Sequence, residues 1–414
     1  MKTIKGTRQL NMEKEFKKDC PNYKYIPDTL ESTSRTVAIG DIHGDIEVAV
    51  NMLKVGKCIK QVKNKTKNSI TLKNKYYEWI GGDTIVVQVG DQVDRCRPIG
   101  DQSCVKPKTT TDDEASDIDI LKFYTELDEY ARKKGGRVIS LLGNHELMNV
   151  SGKMQYVSFM GLMEFVNSVD LSDISSIDKK DLNTYVEEGL KNRRNAFTNK
   201  SQFKRNEALN EYLACTRPSA IIVGDLLFVH GGMIKKMAEL YDLDDLNMIV
   251  RKWLLGKITE ECIDCDKDLL RTRLERNNSK GVSFNFKERL KLLLHSSHKG
   301  ISIFWNRILG QLPSDMIVKD MSEDSKTNIN KRCDELLKPV LDVFKINGIV
   351  VGHTPQMDAP VKGINSTCNE RVWRTDIGAS KAFNVFRDSN EVQRIEVLEI
   401  VRDENNNNKY TVLY

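Results

Sequence analysis

Thr36-Val37-Ala38-Ile39-Gly40-Asp41-Ile42-His43-Gly44 carries a short apolar run straight into a glycine, a carboxylate and an imidazole. The run has the length and β-branched content of a buried strand, and Gly-Asp-x-His-Gly marks where the chain leaves it. Four further runs repeat the arrangement. They are Thr84–Val89 before Gly90, Arg137–Leu142 before Gly143, Ala220–Val229 (interrupted at Gly224-Asp225) before His230, and Ile346–Val351 before Gly352. Between the first three runs, helical periodicity covers Ile46–Leu53 and Ile118–Arg132. Ser116 or Asp117 is a suitable N-cap for the second helix, and Gly135-Gly136 lies beyond its end. Strand–helix alternation predicts an α/β sheet, and such sheets place their sites at the carboxyl ends of strands.

Those ends are where the reactive side chains collect. Of six histidines, four stand there: His43, His145 in Gly-Asn-His-Glu, His230 in His-Gly-Gly and His353 in Gly-His-Thr. Asp41 precedes His43 by two residues, and Asp91 and Asp94 lie in Gly90-Asp-Gln-Val-Asp-Arg95. A mixed His, Asp and Asn donor set favours a divalent ion such as Mn, Fe or Zn over a thiolate site. Each motif alone reads as an ordinary turn, because Asp and Gly are common turn residues. Five in order, each at a strand end, are not explained that way.

Composition narrows the class. A net charge of +5 over 414 residues is too small to argue for nucleic acid. No apolar run reaches the length of a membrane span, and the lysine-rich first twenty residues lack the apolar core of a signal peptide. Nine cysteines spread along the chain read as reduced thiols in a cytoplasmic protein, with a Cys96–Cys104 pair across the loop, a redox brake on the site, as the alternative under oxidation. Cys262-Ile-Asp-Cys265 has half the spacing of a zinc site but no second pair, and reads as unrelated to metal. Lys54–Lys75, with eight lysines and no acid, reads as a solvated basic hairpin that leaves a partner surface open. Pro107–Asp119 reads as a mobile acidic loop, and Ala382–Phe386 with Val392–Val401 as a hairpin around Asp388-Ser389-Asn390.

The motif order Gly-Asp-x-His-Gly, Gly-Asp-x-Val-Asp-Arg, Gly-Asn-His-Glu, His-Gly-Gly, Gly-His-Thr resembles the calcineurin-like metallophosphoesterases. Val-Asp-Arg and Gly-Asn-His-Glu resemble the phosphoprotein-phosphatase branch. Trp79-Ile-Gly-Gly-Asp-Thr84, Leu142-Gly-Asn-His-Glu-Leu-Met-Asn149, Tyr156-Val-Ser158 and Trp373-Arg-Thr-Asp-Ile-Gly378 are similar to its bacterial-type Shewanella-like group. The resemblance spans about Thr36–Phe386. It implies a four-layer α/β/β/α sandwich of two mixed sheets flanked by helices. Residues 31–402 would form one catalytic domain with mostly helical insertions at 154–217 and 233–345. Residues 1–30 would be an N-terminal extension, and 403–414 a tail or short strand.

The resemblance also implies roles. Asp41, His43 and Asp91 would hold one metal, and Asp91, Asn144, His230 and His353 a second. A shared carboxylate suits ions about 3.5–4 Å apart, and a hydroxide between them would attack phosphorus directly. Arg95 would fork onto phosphoryl oxygens, joined by Asn144 and by Arg307 of Phe304-Trp-Asn-Arg307. Lys280 is the rival for that last position, but it lacks the planar fork. His145 would protonate the leaving oxygen, oriented by Asp94. Cys96 stands where the family has glycine, which would be strained at positive φ. The activity implied is hydrolysis of phosphomonoesters on phosphoproteins or phosphopeptides at Ser/Thr, with Tyr open. Two alternatives remain at this point: a diadenosine-tetraphosphatase-like nucleoside polyphosphate hydrolase, and a non-catalytic scaffold on a phosphatase fold. Retention of all six ligands with Asp94, Arg95 and His145 argues against the scaffold.

Overall fold

The computed structural model describes residues 2–167, 179–198, 208–259, 286–388, 392–405 and 407–414. Two compact units are interleaved along the chain. The first comprises Met1–Ser32, Leu141–Gly143 and Glu211–Thr375, and the second Thr33–Ser140, Asn144–Asn210 and Asp376–Tyr414.

The second unit is built on three of the expected runs. β2 (Arg35–Ile39), β6 (Ile85–Gln88) and β7 (Arg137–Ser140) pair in parallel, with β2 next to β6 and β6 next to β7. Their near-continuous burial suits parallel strands covered on both faces. On the free side of β2 lies β13 (Val397–Arg402), antiparallel to it, and then β14 (Asn408–Leu413). Helix Ile46–Val55 follows β2, capped by Asp45, whose side chain accepts from the Val48 amide. Helix Asp117–Arg132 starts after Ser116 as expected, but the Ser116 hydroxyl donates to the Gly44 carbonyl at 2.7 Å instead of capping. The basic insertion gains a third strand: β3 (Ile59–Val62), β4 (Ser69–Leu72) and β5 (Lys75–Trp79) form an antiparallel sheet in the order β3-β5-β4.

Two expectations fail here. The C-terminal hairpin is β13–β14, while Lys381–Phe386 is a 3₁₀ helix. The reason is the turn at Asp403, whose side chain accepts from the amides of Asn405 and Asn407 at 2.9 and 2.8 Å. An Asp that bonds its own following backbone makes a tight reversal, while Ser389 and Asn390 of the expected turn lie outside the described residues. The acidic loop is also not loose. Glu114 accepts from the Ile46 amide and Asp113 from the Met160 amide.

The first unit carries a six-stranded mixed sheet. β8 (Ala220–Val223) and β9 (Leu226–Val229) form a hairpin through Gly224, which adopts φ 64°. β10 (Gly348–Val351) runs parallel to β9, and β12 (Val372–Arg374) parallel to β10. β11 (Asn365–Thr367) lies antiparallel to β12, and β1 (Thr29–Leu30) parallel to β8. Helices Lys235–Leu240, Leu243–Leu254, Phe286–Leu294 and Glu323–Phe344 flank this unit's chain. The fold class is therefore α/β, with mixed sheets flanked by helices. Lys280, Cys262 and Cys265 lie outside the described residues.

The cysteines overturn the reduced-thiol expectation. Cys20–Cys215, Cys96–Cys104 and Cys333–Cys368 are disulfides, and Cys58 is the free thiol among the described residues. Cys20 and Cys215 are 195 residues apart with Cα atoms 5.6 Å apart, a proximity that no spacing rule exposes. The cytoplasmic expectation loses the support it drew from those thiols. Cys96 also avoids the expected strain: it is absent from the positive-φ residues and bonds the Tyr156 carbonyl through its amide.

Candidate active site

The turns after β2 and β6 interlock through their backbones. The amides of Ile42 and His43 both donate to the Asp91 carbonyl, at 3.0 and 2.9 Å, and the Gly44 amide donates to that of Gln92. His43, Asp91 and Asp94 all take positive φ, at 45°, 54° and 72°. Residues with a Cβ avoid this region, so the turns hold strain in order to aim three functional side chains. Glu146 sets the second turn, accepting from the amides of Asp91 and Gln92 at 3.0 and 2.7 Å. Glu146 lies within Gly-Asn-His-Glu, a motif whose pattern alone gives it no role.

His43 Nδ1 lies 3.3 Å from the Val93 carbonyl, which leaves Nε2 with its lone pair towards the acids. That nitrogen is 3.9 Å from Asp41 Oδ2 and 3.8 Å from Asp91 Oδ2. Burial, then the charges of Arg97 and His145, hold the His43 pKa well below its usual value. The ring is therefore a neutral base, the form that binds metal. Asp94 Oδ2 lies 2.8 Å from His145 Nδ1, and the His145 amide donates to Asp91 Oδ1 at 2.9 Å. The structure thus brings Asp41, His43, Asp91, Asp94 and His145 together. Asn144 begins the helix Asn144–Val150 and is buried beside them in sequence.

Behind this pair sits a residue that sequence reasoning missed. Arg193 is fully buried, with Nη2 donating to Asp94 Oδ1 at 3.2 Å and Asp117 Oδ2 at 2.7 Å. Its Nε donates to Asn149 Oδ1 and its Nη1 to the Gly161 carbonyl, and Phe165 and Phe197 cover its face. Nearby Glu164 is pushed up to about 8 by burial and by Asp117. Removing one partner of such a buried pair leaves the other charge uncompensated. Arg193→Met is expected to cost about 3–5 kcal/mol in urea unfolding. An unchanged midpoint would show that Asp94 and Asp117 do not need this cation.

Arg95 has partners of its own. Its guanidinium is 2% exposed and turned into the acidic segment, with Nη1 donating to Glu114 Oε1 at 2.6 Å and the Gly44 carbonyl at 3.0 Å. Nη2 donates to the Asp112 carbonyl at 2.7 Å, and Asp45 lies 3.6 Å from Nη1. An acid nineteen residues along the chain has claimed the fork that was expected to meet phosphate.

The first unit holds the other expected residues. His230 follows β9 and His353 follows β10, their rings 4.9 Å apart, and the Gly352 amide donates to the His230 carbonyl. His353 also takes positive φ, 64°. Gly231 admits no side chain, since a Cβ would lie 2.8 Å from the Ile303 carbonyl oxygen. Arg307 Nη1 donates to the His353 carbonyl at 2.6 Å, and Trp305 stands edge-on to the His353 ring at 6.2 Å. Arg374, within the Trp373–Gly378 motif, binds the carbonyls of Gly310, Leu312 and Ser366 and serves to fix loops.

A family model described as calcineurin-like phosphoesterase matches residues 34–357. The chain belongs to that family. Among similar proteins, an uncharacterised mimivirus protein (Acanthamoeba polyphaga mimivirus) is 35% identical over 289 residues, covering 66% of this chain and 94% of its own. Shewanella-like protein phosphatase 2 of Arabidopsis thaliana is 26% identical over 370 residues, covering 85% of this chain and 73% of its own. A crystal structure of a mutant cold-active protein tyrosine phosphatase matches with a TM-score of 0.50 and 20% identity, covering 94% of this chain and 83% of that one. The last likeness bears on fold alone.

Calcineurin-like phosphoesterases are dinuclear metal enzymes, and the residues here fit such a centre. Ligand-type atoms of His43, Asp91 and His145 lie within 4.8 Å of one another, all on buried side chains. Carboxylates facing the lone-pair side of a neutral imidazole, rather than bonding it, are what a divalent cation would organise. Helices of the described residues include none long and apolar enough to cross a membrane. The family match makes this chain a calcineurin-like phosphoesterase.

Proposed function

We propose that the protein is a phosphomonoesterase that removes phosphate from phosphoserine and phosphothreonine in proteins. The observation that carries this is the Asp94–His145 pair, 2.8 Å apart and adjoining the buried ligand-type atoms. An alkoxide leaving group needs a proton, and a positioned imidazole is the usual source. The name of the Arabidopsis relative supports a phosphoprotein substrate.

The ligand set we propose is Asp41, His43, Asp91, Asn144, His230 and His353, whose donor chemistry suits Mn, Fe or Zn. When bound, two such ions polarise the phosphoryl group and supply a nucleophile at neutral pH. The protein's own part is positional. Asp94 accepts from His145 Nδ1, which aims Nε2 and steadies the ring's charge while that nitrogen gives its proton to the leaving oxygen. Arg193 and Asn149 hold Asp94 in turn, so the imidazole cannot swing. Asn144 and Arg307 would contact phosphoryl oxygens.

The test compares kcat/KM on phosphoserine, phosphothreonine and phosphotyrosine peptides, an aryl phosphate and diadenosine tetraphosphate. Each is assayed with Mn, Fe, Zn or a chelator. Phosphoserine and phosphothreonine peptides should lead, and chelation should abolish turnover until Mn is restored. A preference for diadenosine tetraphosphate, or full turnover by metal-free protein, would overturn the reading.

A further inference from the structure

We propose that Arg97, rather than Arg95, is the arginine of this turn that receives the substrate's phosphoryl oxygens. The inference rests on the phosphomonoesterase reading and names a binding residue for it. Arg95 is excluded by its bonds to Glu114, Gly44 and Asp112. Arg97 follows two residues later and is only partly exposed. Among the described residues its protein hydrogen bonds come from Nη1, to the carbonyls of Asp94 at 3.1 Å and Cys96 at 2.8 Å. Nε and Nη2 are left for an anion. No carboxylate among the described residues forms an ion pair with it, although Asp91, Asp94 and Asp376 are close enough to act on its charge.

Its neighbours place that cation at the reacting groups. The guanidinium lies 4.7 Å from the Phe383 ring centroid and 5.7 Å from that of Tyr156. Phe383 stands edge-on to His43 at 5.4 Å and Tyr156 to His145 at 5.0 Å, while His43 and His145 are 4.8 Å apart. Arg97 therefore bridges the two rings that flank a ligand-type imidazole and the acid imidazole. Aromatic faces and two carbonyls fix the plane of a group that can fork onto two phosphoryl oxygens. The loop is pinned at its start as well, by the Cys96–Cys104 disulfide and by the Cys96 amide on the Tyr156 carbonyl. A cation that is anchored by carbonyls and rings, and bonded to no carboxylate among the described residues, is arranged to meet an anion.

The experiment measures inorganic phosphate as an inhibitor and as a calorimetric ligand of the metal-loaded protein. Wild type, Arg97→Ala, Arg97→Gln and Arg95→Gln are compared, with metal content determined for each. Arg97→Ala should raise the phosphate inhibition constant at least about tenfold and lower kcat/KM on a phosphoserine peptide about 100-fold, with metal content unchanged. Arg97→Gln retains a donor and should fold if Arg97→Ala does not, with the same direction of loss. Arg95→Gln should lower the melting temperature more than it weakens phosphate. Overturning results are an Arg97→Ala or Arg97→Gln enzyme within twofold of wild type for phosphate, or Arg95→Gln alone losing phosphate affinity. If wild type hydrolyses no phosphomonoester yet loses calorimetric phosphate binding on Arg97→Ala, Arg97 stands and the phosphomonoesterase reading falls.

Discussion

Asp91→Asn should empty the centre of metal and stop turnover. One carboxylate bears on both halves of the chemistry: Oδ2 lies 3.8 Å from His43 Nε2 and 3.9 Å from His145 Nε2, and Oδ1 accepts from the His145 amide. An amide keeps the shape and the hydrogen bond to His145, so the turn should survive. What disappears is the negative charge that offsets bound cations in a buried site. Disturbing only the outer partners of a metal ligand typically costs about 10–100-fold in affinity or activity. Loss of a ligand's charge should therefore exceed about 100-fold in kcat/KM, with metal content by elemental analysis falling in parallel. A variant that keeps its metals and its rate would remove Asp91 from the centre.

His145→Asn should behave differently, and the difference is diagnostic. Metal content should stay at the wild-type level, while kcat on phosphoserine peptides falls by about 10²–10⁴-fold, the range for a lost general acid. An aryl leaving group departs with little help from a proton, so the loss on nitrophenyl phosphate should be much smaller. Equal losses on both substrates would take the proton-donor role away from His145. The contrast is sharp because Asp94 is held by three donors, from His145, Asn149 and Arg193, and should stay in place when the imidazole goes.

Much of this was legible before any coordinates. β-branched runs ending in Gly, Asp or His mark the ends of β2, β6, β9 and β10, and those ends carry Asp41, Asp91, His230 and His353. Local patterns worked because the local chain sets strands and their turns. What escaped the sequence depends on partners far along the chain. Arg95 looks like an anion fork until Glu114 is found against it, and no spacing rule separates it from Arg97. Arg193 sits in a helix whose pattern gives no sign that one of its arginines reaches Asp94 and Asp117. The C-terminal hairpin was misplaced because Asp403 decides the reversal through two bonds to backbone amides, which composition does not reveal.

The left-handed backbone at His43, Asp91, Asp94 and His353 carries a consequence for anyone who tries to improve this protein. Each of the four positions costs the fold on the order of 1–3 kcal/mol, and glycine or asparagine would recover part of that. A screen that selects only for heat resistance will therefore be drawn to these four codons. It will enrich robust proteins that have lost their chemistry. Selection for durability has to be coupled to a turnover assay, or directed to surfaces distant from these turns, because in this scaffold the easiest gains in robustness and the working residues share the same addresses.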